Sequence, residues 1–388
     1  IILGGGPAGL TAAGAATRLG AKVLVLDKAE RPGVKLLLSG GGKGNVTNTR
    51  MAWTDYVGEA SEFAANTLER CTPEMIHTWL ENEGIPLEER DHARIFCATS
   101  AKDVLRLLCA SLPKDRCRVQ TGCGTAAVTA PSDEFTVTCG TKTYSAPRLI
   151  AAAGSPAWPQ CGADDSGLRL IRGLGHRIVP PRPVLCPLVM PPAWPLANLA
   201  GISLPVGITC DAPGSPLFTD DLLFTHKGIS GPAALQISCY WRKGSTITID
   251  FLPGRDVSAL LDEARGKATP RSALGKALPD RLLTALLPEE LAGRRVAELS
   301  RKQRNAVADA VNRHTAVPPR NEGLAKAEAA SGGVDVRAVD PYTMGSLLVP
   351  GLFFCGEVLD ITGTLGGYNL HWAWASGMVA GESAALTI

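Results

Sequence analysis

Apolar residues along this chain change their spacing several times, and each change predicts an element. A short apolar run at the start stops at glycine. Small residues then recur at helical spacing to about Gly20, and a second apolar run over 22–26 closes on Asp27. This predicts strand, tight turn, helix and strand. Residues 118–149 alternate apolar and polar, with turn signals at Ser132-Asp133 and Cys139-Gly140, and predict a meander of short strands. The run "LIAAAGSPAWP" (149–159) predicts a buried strand ending at Gly154. Proline-bounded β-type runs fill 178–253, among them 206–210 and "STITIDFLP" (245–253), and predict a separate β subdomain in the form of a small barrel. Helical spacing takes over from Asp256 to His314, as in "LPDRLLTALLPEEL", and Pro318-Pro319 return the chain to the β pattern. Near the end, an apolar strand over 352–355 leads through a polar turn into a helix opened by Gly366-Gly367. That last stretch carries Asn369, His371 and Glu382 among small residues, so it reads as a buried helix and not a membrane span.

Length and composition change this picture little. The 388 residues suit two or three domains, and 45% hydrophobic with 20% charged residues is ordinary for a globular protein. A net charge of +2 announces no global nucleic-acid or membrane partner. The eleven cysteines form no CxxC and follow no framework spacing, which predicts free thiols and a cytoplasmic location. The six histidines show no HxxH or HExxH pairing, so no metal is expected.

The first strand–helix–strand unit carries the chemistry. Gly4-x-Gly6-x-x-Gly9, with Pro7 and Ala8 between, is the dinucleotide fingerprint in its required context. Gly4 permits the turn, Gly6 lets backbone approach a pyrophosphate, and Gly9 lets the helix pack on the strand. The helix N-terminus supplies N–H donors to the phosphates, and Asp27, followed by Lys28, faces the ribose hydroxyls. The C-terminal return selects the dinucleotide: a permanently held flavin extends beyond the first turn, and a second helix N-terminus can stabilise negative charge on its pyrimidine edge. Gly356, Glu357, Asp360, Gly366, Gly367, Tyr368 and Asn369 are the candidate residues there, with Glu357 and Asp360 toward the ribityl hydroxyls. "LLLSGGGKGNVTN" (37–49) is not a nucleoside-triphosphate P-loop, because Leu37 and Gly44 stand where that pattern needs Gly and Ser or Thr. No second GxGxxG unit follows, so a separate NAD(P)H domain is not expected. Together with the missing CxxC, that removes the disulfide reductases.

Four blocks in order, the 4–9 turn, "SGGGKGNVTN", "LLFTHKGISGPAALQIS" and "GEVLDITGTLGGYNLHWAWASG", resemble the BaiN-like flavoproteins, a family whose members also go by aminoacetone oxidase or NAD(P)/FAD-dependent oxidoreductase. The chain departs from the family's usual Arg-Cys at Lys43-Gly44, Gln at His371 and Met-Glu-Ser at Met344-Gly345-Ser346. The resemblance implies an α/β fold: a Rossmann-like FAD-binding domain of the glutathione-reductase type (1–178 and 337–388), an inserted β-barrel subdomain (179–254 and 318–336) and a small helical subdomain (255–317). It also implies that the second glycine-rich loop crosses the pyrophosphate toward the flavin ring. Lys35 and Lys43 then balance phosphate charge, Ser39 and Gly40 donate hydrogen bonds, and Asn45, Thr47 and Asn48 reach the flavin edge. Ala127 of the meander and Ala153 and Gly154 complete the cofactor set.

His226 in "LFTHKGISGP", Tyr368 and His371 are the candidate proton donors. Three activities are expected alternatives. The first is hydride transfer from flavin N5 to an activated C=C bond of a small molecule, with NAD(P)H as transient reductant. The second is reduction of uridine in ribosomal RNA, and the third is amine oxidation. RNA would be held by the helical insert, where 255–320 contains thirteen Lys or Arg against eight Asp or Glu, with Arg294, Arg301, Lys302 and Arg304 most prominent. No Phe, Tyr or Trp lies between Pro253 and Pro319 to stack on bases.

Overall fold

Four short apolar runs and a partly exposed edge strand form a parallel sheet. In the computed structural model these are β1 (Ile2–Leu3), β2 (Val23–Leu26), β3 (Cys117–Gln120), β4 (Leu149–Ala151) and β5 (Leu352–Phe354). They lie in the order β5-β4-β1-β2-β3, every neighbouring pair parallel. The structure describes all residues except 125, 130–133, 265, 387 and 388, so the turn expected at Ser132-Asp133 lies outside the described residues.

The helices α1 (Pro7–Arg18) and α2 (Tyr368–Leu386) pack on this sheet and on each other. Their contact is close because both offer small residues. A Cβ added at Gly377 would meet the Ala8 carbonyl oxygen at 2.5 Å, and one at Gly381 would meet that of Ala12 at 2.2 Å. The equal spacing of the two contacts means that the helices run parallel. Tyr368 therefore starts α2 about 12 Å before the level of the α1 N-terminus, at 1.5 Å per residue. The apolar weight of the core comes from elsewhere on α2, where Trp372 and Trp374 are fully buried. Their indole N–H groups donate to the carbonyls of Gly356 and Val46.

The meander is smaller than its alternation suggested. Its antiparallel strands are Ala127–Thr129, Phe135–Cys139 and Lys142–Ala146, while β3 joins the parallel sheet beside β2. Alternation marks one buried face, and an edge strand of either sheet has that.

Two compact units are present: residues 1–183 with 328–388, and residues 184–327. The second is built on a seven-stranded sheet that is antiparallel at each pairing described. Its edge strands, His314–Ala316 and Arg320–Asn321, are joined by only three residues. Such a link spans at most ~15 Å, whereas seven flat strands would measure about 29 Å across. The sheet is therefore rolled, and no described pairing joins its edges. The helices Val257–Glu263, Pro270–Leu274, Asp280–Leu286 and Arg301–Asn312 share one core with it, through Leu261, Leu274, Leu282, Leu283 and Val307. All eleven cysteines are free. Among the described residues no helix is long and apolar enough to cross a membrane, and no group of three or more His, Cys, Asp or Glu is placed to hold a metal ion.

Candidate functional site

The three fingerprint glycines are required for different reasons. Gly4 has φ +110°, and a Cβ there would lie 2.2 Å from the Ala152 carbonyl oxygen. At Gly9 a Cβ would lie 1.9 Å from the Gly4 carbonyl oxygen. Protein packing alone explains both. Gly6 differs: its φ of −76° suits any residue, and a Cβ there meets nothing within 4 Å. It is the N-cap of α1 and offers no side-chain cap, which leaves first-turn N–H donors and the positive end of the helix dipole facing that open space. Asp27, at the end of β2, accepts from the Gly5 N–H through Oδ2 (2.5 Å) and from the Ala29 N–H through Oδ1 (2.8 Å). Each oxygen keeps a lone pair for a further donor. Lys28 pairs with Asp164 at 2.7 Å.

The turn after β5 meets the loop after β4. Gly356 has φ +75° and packs against Ala8, since a Cβ there would lie 2.7 Å from the Ala8 Cβ. The next residue, Glu357, accepts through Oε2 from Lys35 Nζ (2.5 Å) and from Ser155 Oγ (3.0 Å). Ser155 was not singled out from sequence; its only signal is that it follows Ala153 and Gly154. Gly154 has φ +71°, with open space where a Cβ would stand.

The second glycine-rich loop begins as a short helix, Val34–Leu38, and then takes left-handed backbone at Gly40, Gly41, Gly42 and Gly44. The Ser39 hydroxyl donates to the Leu36 carbonyl (2.8 Å), and Lys43 pairs with Glu88 at 3.5 Å. Beyond it, strand Asn45–Asn48 docks against the start of α2. Asn45, with its amide turned as its neighbours dictate, donates to the Ile95 carbonyl and accepts from the Gly367 N–H, both at 3.0 Å. Asn48 Nδ2 donates to the Gly366 carbonyl at 3.1 Å. The fit is tight, as a Cβ at Gly367 would lie 2.3 Å from the Thr47 carbonyl oxygen.

Three expected site residues make hydrogen bonds that hold segments of the protein to one another. His371 is 0% exposed. Its Nε2 donates to the Cys71 carbonyl (2.8 Å), so its Nδ1 must accept from Thr47 Oγ1 (2.8 Å). A ring with no surface and both nitrogens engaged is a clamp, not a proton donor. Asp360, 2% exposed, accepts from the backbone N–H groups of Gly332 (2.9 Å) and Glu59 (3.0 Å), which ties three segments together. The Asn369 side chain pairs with both the N–H and the carbonyl of Gly363. Tyr368 stays half-buried, and burial, with Asp55 nearby, pushes its phenol up to about 12. Its backbone carbonyl accepts from the Tyr56 hydroxyl (3.0 Å). Ala127 is exposed on the meander, and His226 is exposed in the second unit, in the two-residue turn between Phe218–Thr225 and Gly228–Ser230.

The His371 clamp has a pH signature. Burial lowers the imidazole to about 4, so between that value and the ordinary ~6.5 the unfolded chain takes up a proton that the native state refuses. Stability is full above this window and falls as the pH drops through it. Between pH 7.5 and pH 5 the loss should be about 2 kcal/mol. His371→Gln, which can still donate to Cys71 and accept from Thr47, should abolish most of that loss; urea denaturation of both proteins at the two pH values measures it.

A model of the HI0933-like protein Rossmann domain matches residues 1–383. The chain belongs to this family of BaiN-like flavoproteins. Over 383 residues it is 33% identical to the ribosomal RNA dihydrouridine synthase of Escherichia coli K12, covering 97% of this chain and 95% of that one. Its match to the protein of the same name in Haemophilus influenzae is 34% over 386 residues, 97% and 96%. The 3-dehydro-bile acid delta(4,6)-reductase of Clostridium scindens is 32% identical over 405 residues, 99% and 98%. The chain is thus a flavin oxidoreductase with a Rossmann-like FAD-binding fold. Its own geometry fits FAD: Gly6 has no steric reason within the protein to be glycine, and a pyrophosphate over the uncapped α1 supplies one. FAD, when bound, supplies hydride chemistry at its N5.

Proposed function

We propose that this protein reduces a C=C bond conjugated to a carbonyl group, with FAD as hydride carrier and NAD(P)H as electron donor. The observation that carries the reading is Tyr368: a half-buried phenol that keeps its proton at neutral pH, on the first residue of α2. Such a reduction needs one hydride and one proton on adjacent carbons, and we assign the proton to Tyr368. The names of the relatives support the same chemistry. Dihydrouridine is uridine saturated at C5=C6, next to the C4 carbonyl, and a delta(4,6) 3-dehydro steroid carries its double bonds in conjugation with the C3 carbonyl. We propose Gly4, Gly6, Gly9 and Asp27 for the pyrophosphate and ribose, and Lys35, Gly154, Ser155 and Glu357 for the middle of the cofactor. His226 is the alternative proton donor.

Anaerobic mixing of holoprotein with NADH and with NADPH tests the donor. Bleaching of oxidised flavin by either, followed by recovery on adding an α,β-unsaturated ketone, is the expected result. Bleaching by primary amines and by neither nicotinamide would replace this reading with amine oxidation.

A second reading takes uridine in ribosomal RNA as the substrate. It is favoured by the basic excess of 255–320 and by the two relatives of that name. Arg301 and Lys302 are exposed at the start of their helix, whereas Arg304 is held by Asp262 at 2.7 Å. Absence of one dihydrouridine from the ribosomal RNA of a deletion strain, restored by the gene, would put this reading first.

A further inference from the structure

We propose that Arg94 binds the carbonyl oxygen of the substrate and stabilises the negative charge that develops there, in a site shared with the Tyr368 phenol; this rests on the carbonyl-conjugated substrate proposed above. Arg94 opens the strand Arg94–Cys97, which pairs antiparallel with Asn45–Asn48 and sets Arg94 opposite Asn48. The two residues before it, His92 and Ala93, have φ of 60° and 58°. Consecutive residues with a Cβ in left-handed backbone persist only where their surroundings hold them. The holding groups are identifiable. Asn48 Nδ2 donates to the His92 carbonyl (3.0 Å) and to the Gly366 carbonyl (3.1 Å), and the Thr49 N–H donates to the Ala93 carbonyl (3.1 Å). One buried amide thus staples the strained turn to the turn that opens α2.

The strain has a visible product, which is where Arg94 stands. A Cβ built on Gly366 would lie 3.6 Å from Arg94 Cγ and 3.0 Å from Tyr368 Cε2. The arginine stem and the tyrosine ring therefore flank one point on the glycine turn. The half-buried Arg94 is also close enough for its charge to act on the phenol, against that of Asp55.

The chemistry balances with these two side chains. As hydride adds to the β-carbon, the π pair moves to the α-carbon and the carbonyl oxygen, giving an enolate. The Arg94 guanidinium donates hydrogen bonds to that oxygen. The α-carbon then takes the Tyr368 proton, the carbonyl re-forms, and the tyrosinate recovers a proton from water. Arg94→Gln should lower turnover of an unsaturated ketone ~10²–10³-fold, the range for loss of an oxyanion donor. Arg94→Lys should recover part of it, since a point charge replaces the planar fork.

A binding readout separates this from the turnover reading. 4-Chlorophenol, titrated into oxidised holoprotein, presents a phenolate oxygen in place of the enolate. Wild type should bind it with a long-wavelength charge-transfer band. Arg94→Gln should lose the band and at least ~10-fold in affinity, and Tyr368→Phe should keep both. Unchanged phenol binding in Arg94→Gln overturns the assignment. So does loss of FAD from both Arg94 variants, which would make the arginine part of the cofactor site or the fold. If wild type reduces no unsaturated carbonyl while phenol binding still depends on Arg94, the reaction assigned above fails and the oxyanion site stands.

Discussion

Gly6→Val should purify colourless and fold normally. A valine at this N-cap costs the helix about 1 kcal/mol relative to glycine, and its Cβ has open space for 4 Å around it. What it does meet is the position of a pyrophosphate over the first turn of α1. Two or more charge-assisted backbone hydrogen bonds are lost, each worth about 1.5–3 kcal/mol, so FAD affinity should fall by at least ~100-fold. The ratio of flavin to protein absorbance and the flavin released on heating measure this directly, and the melting temperature of the apoprotein should match that of wild-type apoprotein within a few degrees. Gly9→Ala is the contrasting control. Its Cβ would be driven into the Gly4 carbonyl, so that variant should lose stability whether or not FAD is present. A yellow, fully loaded Gly6→Val protein would defeat the placement of the cofactor.

Tyr368→Phe should leave FAD bound and its reduction by NAD(P)H near wild type, while turnover of substrate falls ~10²–10⁴-fold, the range for a general acid. The reason is local. The backbone carbonyl of Tyr368, not its phenol, anchors the turn by accepting from the Tyr56 hydroxyl, and its ring keeps the edge contact with Tyr56 at 6.0 Å. Only the proton is removed. Since the phenol stays protonated up to about pH 12, the wild-type rate should show no loss of a proton donor across the neutral range. Wild-type turnover by the variant would hand the role to His226, and loss of FAD would make the phenol part of the cofactor site.

Much of the architecture could be read along the chain because it rests on local rules. The fingerprint turn, α1, β2 with Asp27, and the last helix each carry a short-range period or motif, although the close contacts that demand Gly4 and Gly367 come from Ala152 and Thr47, far off in the chain. The helical run after Asp256 was equally legible from its spacing. Spacing was silent on partnership, however. β3 alternates like a meander strand and pairs in the parallel sheet, and the helices of 255–317 share the core of the rolled sheet because their apolar faces are too small to close one alone.

The amino-acid sequence by itself determined the class of cofactor, since the GxGxxG turn, its helix and the acid after the second strand all lie within the first 27 residues. Only the tertiary structure decided which polar side chains are available for chemistry. Thr47 and His371, 324 residues apart, hydrogen-bond each other; Lys35 and Glu357, 322 apart, form an ion pair; and Asn48, 318 residues from Gly366, fixes the turn that presents Arg94. A histidine expected as a proton donor, and an aspartate and an asparagine expected at the cofactor, are engaged in such contacts, and an arginine with no motif around it lies near the Tyr368 ring. The physical reason is that burial and hydrogen-bond satisfaction belong to pairs of segments, and no single stretch of sequence contains both halves of the pair.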